Sequence, residues 1–477
     1  MTRPPKSANK WYDKLTEEMS SDWKHIMIGS KQRRKDLIDI LNEIHKEMSD
    51  DSDKELCPQP YDIFAFCRYT DIQNIRAIII GQDPYPNKHA CGICFSSLQD
   101  KQPQSFIMIK KALIATGCLD AGNKCYDLRA WAYQGVLLIN TAFTTYAGQT
   151  KAHSGAWSTY FNCILKSLVK QLEQRKGMRS VMWLLWGVDA IAKEDIIKSN
   201  QTAYKQVIMH WGHPSMMASH NKDATDKGNF IKCDHFRKVM QITERECGIP
   251  LYWDALSREL ECFTDGSAKP NKSCPEAKGG YAVVFSGGPL KGLTIAGCSD
   301  TTVPHPQSGE IQYTNNIRAE GEALIEALRA LENLPDDMWD RARIITDCEF
   351  YKQLVTKYIP SWLESKKMFD DQKNPDINRE IWRLYVELTQ RRDKHIIIEH
   401  MNSHTDKGST DKTSSRNYRL WFWNKYVDRI ASHARDNFSI ADSPIKSYSF
   451  VTDYFDDMQS IVDSNLPTPE SDDGNDD

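Results

Sequence analysis

The chain has 477 residues, 40% hydrophobic and 26% charged, a length beyond what one hydrophobic core usually spans. No run of about 18 apolar residues occurs, which argues against a membrane-spanning helix, and the opening MTRPPKSANKWYDKL has no apolar core of the secretory kind. Formal net charge is −4, but residues 1–250 carry 34 Lys and Arg against 27 Asp and Glu while residues 251–477 carry 27 against 38, so a mildly basic half precedes an acidic one.

In chain order, residues 1–25 read as a polar, partly disordered segment. Lys31 to Ser49 shows helical spacing of Leu37, Ile38, Leu41 and Ile44. From there to about residue 255, apolar runs alternate with helical stretches: AIII (77–80), GVLLIN (135–140), VMWLLW (181–186) and QVIMH (206–210). Such alternation predicts an α/β domain with a mainly parallel central sheet, over residues 26–255. In sheets of this kind, function collects at the carboxyl edge. Here the strand ends carry Gln82-Asp83, Asn140-Thr141, Gly187 and His213. The composition changes between Glu244 and Arg258. A β-β-(β)-α-β-α-β-α order follows, predicting a second, mixed-sheet α/β domain over residues 258–440. Residues 451–477 hold nine acids and no Lys or Arg, the composition of a disordered acidic tail. Thirteen cysteines without a signal peptide predict reduced thiols in an intracellular setting. Cys91 and Cys94 form one C-x-x-C, with no second pair to complete a four-cysteine zinc site.

The stretch GQDPYP (81–86) holds a carboxylate and a tyrosine between two prolines that fix their own backbones and restrict their neighbours. Together with GICFS (92–96), GVLLINTAFT (135–144), AHSGAW (152–157), LLWG (184–187) and HPSMM (213–217), in that order, it resembles the uracil-DNA glycosylase superfamily over about residues 55–255. The resemblance implies a three-layer α/β/α fold around a central parallel sheet, with uracil extruded from DNA into a pocket and its glycosidic bond hydrolysed without a cofactor. It implies that Asp83 orients the attacking water and offsets the positive sugar, and that His213 donates to the uracil oxygen as negative charge builds there. Asn140 would match the uracil edge, Tyr85 would exclude a thymine methyl, Phe95 would stack on the base, and the Gln82 backbone would form part of the pocket floor. Met217 falls at the wedge position, where ordinary packing is the other reading, and Ser105 and Ser215 at phosphate-gripping positions. Three departures stand out: Pro86 where the cellular enzymes have histidine, Val188 after LLWG where serine is common, and Met216 in place of a second proline.

FTDGSAKP (263–270), TNNIRAEGEAL (314–324), IITDCEF (344–350), NSHTDKG (402–408) and NKYVDRIA (424–431) resemble ribonuclease H over about residues 258–437. Asp265 and Asp347 end strands, Glu320 sits early in a helix and Asp428 lies in a later one. Four converging carboxylates repel unless cations compensate, and an oxygen-rich set suits Mg²⁺ or Mn²⁺. Two such ions about 4 Å apart can activate water and stabilise a leaving oxygen. The resemblance implies that His404 shuttles a proton or helps product leave, that Asn424 neighbours the metal site, and that Thr314 and Asn316 contact the RNA minor groove. Ile317 interposes in a motif the family writes TNNRAE. Arg416, Arg419, Trp421 and Trp423 mix basic and aromatic groups that either grip nucleic acid or, for the two tryptophans, belong to the core.

The expectation is therefore a bifunctional enzyme of DNA repair and replication. It acts on uracil-containing DNA and on RNA–DNA hybrids, alongside replication proteins such as a polymerase or primase–helicase, in the nucleus or at a cytoplasmic replication site. A large DNA virus or compact genome would be a natural home. The alternative is a DNA-holding processivity component with a vestigial glycosylase and an active nuclease.

Overall fold

The computed structural model describes residues 7–99, 103–175, 180–200, 205–215, 229–247, 250–269, 278–299, 302–304, 311–313, 315–365, 374–401 and 416–447. The chain divides into two compact units, Met1–Leu256 and Ser257–Asp477.

In the first unit, β1 (Ala77–Gly81), β2 (Val136–Asn140), β3 (Ser180–Trp186) and β4 (Lys205–Trp211) form one sheet in the order β2-β1-β3-β4, with every pairing parallel. The apolar run of β1 is continuous because both faces are covered. Ile78 and Ile80 enter one core cluster, whereas Ala77 and Ile79 enter the other. The first cluster is closed by helices α1 (Ala8–Glu17), α2 (Ser21–Ile28), α3 (Lys31–Asp50) and, later in the chain, Ser154–Glu173. Two of these helices occupy the segment expected to be polar and partly disordered. Trp11 and Trp23 are fully buried there, their indole N–H groups donating to Pro60 O at 3.0 Å and Thr70 O at 2.7 Å. Serines cap all three helices: Ser7, Ser20 and Ser30 each accept a backbone N–H three residues on. In α3 the buried stripe is Leu37, Ile40, Leu41 and Ile44, the i, i+3, i+4, i+7 spacing of one helix face, so Ile40 rather than Ile38 is the fourth member. The opposite layer includes α4 (Gln104–Ala115) and residues 229–247 and 250–256.

The second unit is built on a six-stranded mixed sheet. It contains β5 (Glu259–Ala268), β6 (Gly279–Gly287), β7 (Thr294–Ser299), β8 (Arg341–Thr346), β9 (His395–His400) and β10 (Ile445–Ser447), in the order β9-β8-β5-β6-β7-β10. The β5–β8 and β8–β9 pairings are parallel, and the other three are antiparallel. The domain expected to end near residue 440 thus runs on: β10 adds an edge strand to β7, and the preceding Ser443 Oγ accepts the Cys298 N–H at 2.7 Å. Three residues, IKS, carry too little pattern for a strand to be read from sequence. A long helix (Asn316–Glu332) packs on β5 with almost no gap. A Cβ on Gly266 would lie 2.1 Å from the Glu320 backbone nitrogen. The acidic tail, 451–477, lies outside the described residues.

Candidate functional site

The carboxyl edge of the first sheet opens into a cavity of about 560 Å³ whose walls include Gln82, Asp83, Tyr85, Phe95, Ser105, Asn140 and His213. Asp83 leaves the end of β1 with both oxygens engaged. Its Oδ2 accepts the Lys151 backbone N–H at 2.6 Å and its Oδ1 accepts Gln82 Nε2 at 2.9 Å. The Gln82 carbonyl is tied in turn by the Ala142 N–H at 3.0 Å and the Thr141 hydroxyl at 2.7 Å. This part of the wall is fixed through its backbone. Asn140, at the adjacent end of β2, is 9% exposed, and its Oδ1 lies where a Cβ on Gly81 would come within 2.3 Å. Only glycine leaves that amide its room.

Tyr85 donates to Phe95 O at 3.3 Å and hydrogen-bonds Ser105, near the start of α4. Burial, then the neighbouring thiols of Cys94 and Cys91, drives its hydroxyl well above the usual tyrosine range. Phe95 holds φ +61, a left-handed conformation that costs a non-glycine residue energy and is kept where the surroundings over-determine it. Its ring stands 5.7 Å from Trp186 and 6.1 Å from His213. Gly187, at φ +86, admits the His213 ring: a Cβ there would lie 3.0 Å from His213 Cβ. Burial lowers the His213 pKa, against the opposing pull of Asp189 and Asp83. Cys91 and Cys94 are both buried, Cys91 in the same wall, and burial pushes the Cys91 thiol up to about 11. Ser215 is half-buried two residues past His213, its N–H donating to His213 O at 2.8 Å, and it does not line the cavity. Val188 is 85% exposed and offers no hydroxyl. Met216 and Met217 lie outside the described residues.

In the second unit, Asp265 on β5, Glu320 on the Asn316–Glu332 helix and Asp347 just past β8 converge, with one oxygen from each within 4.8 Å of the others. Asp265 and Glu320 are 5% and 6% exposed. Burial, then the charges of Asp347 and Asp428, pushes Asp265 well above the ordinary carboxylate range; burial, then Asp265 and Asp347, does the same to Glu320. Three oxygen donors this close, two of them raised by burial and by the charges around them, fit a hard divalent cation, whose charge offsets that repulsion. Asp428 is exposed on the last helix (Arg416–Asn437), acting on Asp265 through its field but lying outside the close group, and Asn424 one turn earlier is 7% exposed. Asn316 is exposed, and its Oδ1 accepts the Ala268 N–H at 2.8 Å. Asn315 caps the helix by accepting the Arg318 N–H at 2.8 Å, which leaves the interposed Ile317 in the first turn, 46% exposed. Trp423 packs on the core, its ring stacked over Phe263 at 6.5 Å. Thr314, His404 and the side chains of Arg416, Arg419 and Trp421 lie outside the described residues.

Sequence reasoning missed several residues around both sites. Lys151 and Asp189, 3.0 Å apart, flank Asp83 and His213 from segments far apart in the chain. His400 bridges the Asp347 carbonyl, at 3.0 Å, and the Glu349 carboxylate, at 2.9 Å. Phe350, Tyr358 and Trp362 form a half-buried ring ladder with centroid spacings of 5.6 and 6.3 Å, beginning three residues after Asp347, with exposed Lys352 and Lys357 beside it. The aromatic spacing of that ladder was the readable signal.

Fold and sites define a chain of two α/β enzyme units, one with an open pocket at its sheet edge and one with a carboxylate cluster. Residues 67–243 match the family described as the uracil DNA glycosylase superfamily, and residues 257–435 match RNase H. A uracil-DNA glycosylase of Photorhabdus laumondii is 31% identical over 234 residues, covering 48% of this chain and 94% of its own. One from Saimiriine herpesvirus 2 is 29% identical over 241 residues, covering 50% and 90%. The crystal structure of mimivirus uracil-DNA glycosylase is 20% identical with a TM-score of 0.43, covering 52% of this chain and 91% of that one. The chain belongs to the uracil-DNA glycosylase superfamily and carries an RNase H domain after it.

Proposed function

We propose that the chain is a bifunctional hydrolase that removes uracil from DNA, leaving an abasic site, and cuts the RNA strand of RNA–DNA hybrids. The observation that carries the first activity is the convergence of Asp83, Asn140, Phe95 and His213 on one cavity. A flipped uracil stacks on Phe95 and pairs its edge with the Asn140 amide, while Tyr85 occupies the space a 5-methyl group needs. Asp83, held at both oxygens, orients water toward the sugar and opposes its developing positive charge. His213, kept neutral by burial, donates a hydrogen bond to the uracil oxygen as the base departs with negative charge. Ser105, Ser215 and Met217 serve the DNA strand, the two serines at phosphates and the methionine as an apolar wedge.

The second activity rests on the Asp265–Glu320–Asp347 cluster. Mg²⁺ or Mn²⁺ held there, with Asp428 completing the set, would activate water and stabilise the leaving oxygen in phosphodiester hydrolysis. His404 then handles a proton or product, Asn424 supports the acidic group, and Thr314 and Asn316 face the RNA strand. The Phe350–Tyr358–Trp362 ladder with its lysines suits the sugar–base face of a bound hybrid. Replication proteins, a polymerase or a primase–helicase, are the partners such a pairing of activities implies, at the nucleus or a cytoplasmic replication site. Among the described residues no helix is long and apolar enough to cross a membrane.

The test is to assay Asp83→Asn and Asp265→Asn separately. Each is expected to abolish its own activity and spare the other. A wild-type chain that releases no uracil and cuts no hybrid with either cation would sink the proposal. Exposed Val188, where a hydroxyl would grip phosphate, favours a weaker hold on duplex DNA. Uracil release from single-stranded DNA should then exceed that from duplex.

A further inference from the structure

We infer that the Lys151–Asp189 ion pair is a positioning device of the glycosylase site, fastening the loop that holds Asp83 and shielding His213 from the Asp189 carboxylate. The inference rests on the glycosylase reading above and deepens it.

Lys151 is bound to the site twice. Its backbone N–H donates to Asp83 Oδ2 at 2.6 Å, and its ammonium meets Asp189 Oδ2 at 3.0 Å. Its φ is +61, a left-handed backbone that a lysine holds only when its surroundings require it. That conformation aims the N–H at Asp83. The loop carrying it is fastened at several other points: the Ala147 N–H donates to Glu55 O and the Gly148 N–H to Pro86 O, each at 2.9 Å, and His153 Nδ1 meets Thr144 Oγ1 at 2.9 Å. The rigidity of Asp83 thus comes partly from a loop about 70 residues away in sequence, closed by an ion pair to the first turn of a short helix (Val188–Ile191).

Asp189 follows Gly187 by two residues, and Gly187 abuts the His213 ring. The charged and titratable groups acting on His213 among the described residues are Asp189, Asp83 and Lys151, and apolar Phe95 stands beside it. Two carboxylates next to an imidazole favour its cation, so the protonation state of the group that faces the leaving base depends on how those carboxylates are compensated. Burial opposes the cation, and so does the Lys151 ammonium, whose partner Asp189 favours that cation more than Asp83 does. Lys151 and Asp189 side chains are 50% and 47% exposed. An exposed pair of this kind adds little to folding stability, so variants at either position should fold.

The experiment uses the full chain, without DNA for one readout and with it for the other. The His213 ring titration is followed by NMR, its signal assigned by loss in His213→Gln. Lys151→Met should move the His213 midpoint up, Asp189→Asn should move it down, and the double variant should fall between them. On uracil-containing single strands, all three variants should lose about tenfold in kcat with KM little changed, because the loop holding Asp83 is released. Three unmoved His213 midpoints would overturn the inference. So would a Lys151→Met variant that raises KM and flattens the salt dependence of DNA binding while kcat and the midpoint hold, since that marks a phosphate contact instead. A wild-type chain that titrates as described yet releases no uracil would fail the glycosylase reading and leave the electrostatic pairing standing.

Discussion

Gly266→Ala is expected to silence the nuclease while leaving uracil release intact. Gly266 lies one residue past Asp265, where β5 meets the helix that carries Glu320. An added Cβ would sit 2.1 Å from Glu320 N, 2.3 Å from Ala319 C and 2.7 Å from Glu320 Cα. All three are backbone atoms, so no side chain can swing aside. Ordinary carbon contacts need roughly 3.5 Å, and the strand and helix must therefore part by about 1 Å. The helix cannot slide freely to absorb this: Asn315 caps its first turn, and Arg318 is clamped to Asp376 by bonds of 3.1 and 2.7 Å. Overpacking of this kind costs about 1–3 kcal/mol of unit stability. The larger effect falls on the cluster, whose oxygens now lie within 4.8 Å of one another. A misplacement of about 1 Å in a reacting constellation costs on the order of a hundredfold in rate.

The assay is hybrid cleavage and uracil release from one preparation, with a denaturation curve for each variant. Hybrid cleavage should fall by about a hundredfold and require more divalent cation. Uracil release should match wild type, because the glycosylase core clusters contain only residues of the first unit. A variant with wild-type nuclease rate and stability would refute the packing argument outright, and parallel loss of both activities would refute the independence of the units.

Trp362→Ala removes the outer ring of the aromatic ladder and should raise KM for hybrid by roughly 5–100-fold with kcat nearly unchanged, as loss of one stacking contact predicts; a fall in kcat alone would count against it. His400→Ala frees the turn that presents Asp347, so cleavage should slow and saturate at higher cation concentration, with His400→Gln partly restoring both because one hydrogen bond can be remade. His153 is 4% exposed, and burial, against Glu47, lowers its pKa below 6.5. The unfolded chain therefore takes up that proton first: the stabilisation is full above pH 6.5 and is lost as pH falls through the lower folded value, at no more than about 1.4 kcal/mol per pH unit. Urea denaturation of the glycosylase unit between pH 7.5 and 5 should show His153→Gln with the flatter dependence; identical slopes would refute the assignment.

What the sequence disclosed and what it hid divide along a physical line. AIII and VMWLLW were legible as strands because both faces of a central parallel sheet are covered, which leaves an uninterrupted apolar run. That Asp83, Asn140 and His213 would meet at one edge was legible because parallel strands deliver their carboxyl ends to the same side. Residues 7–25 were misread for the opposite reason: the polar composition of the opening segment is an average that conceals Trp11, Leu15, Met19 and Trp23, whose helical spacing is the only trace of burial. Asp428 could be placed in a helix, but its exposure on that helix, outside the close carboxylate group, depends on how the helix is rotated against the sheet. Lys151 and Asp189 are one lysine and one aspartate among the 126 charged residues of the chain, counting Lys and Arg with Asp and Glu, until the fold brings them together. The glycines mark the same limit. Gly81, Gly187 and Gly266 stand in the quoted motifs as letters, and each turns out to be the space that an adjacent candidate site residue occupies. A motif therefore records which side chains do the chemistry, whereas the absent side chains that make room for them acquire meaning only from the opposing surface.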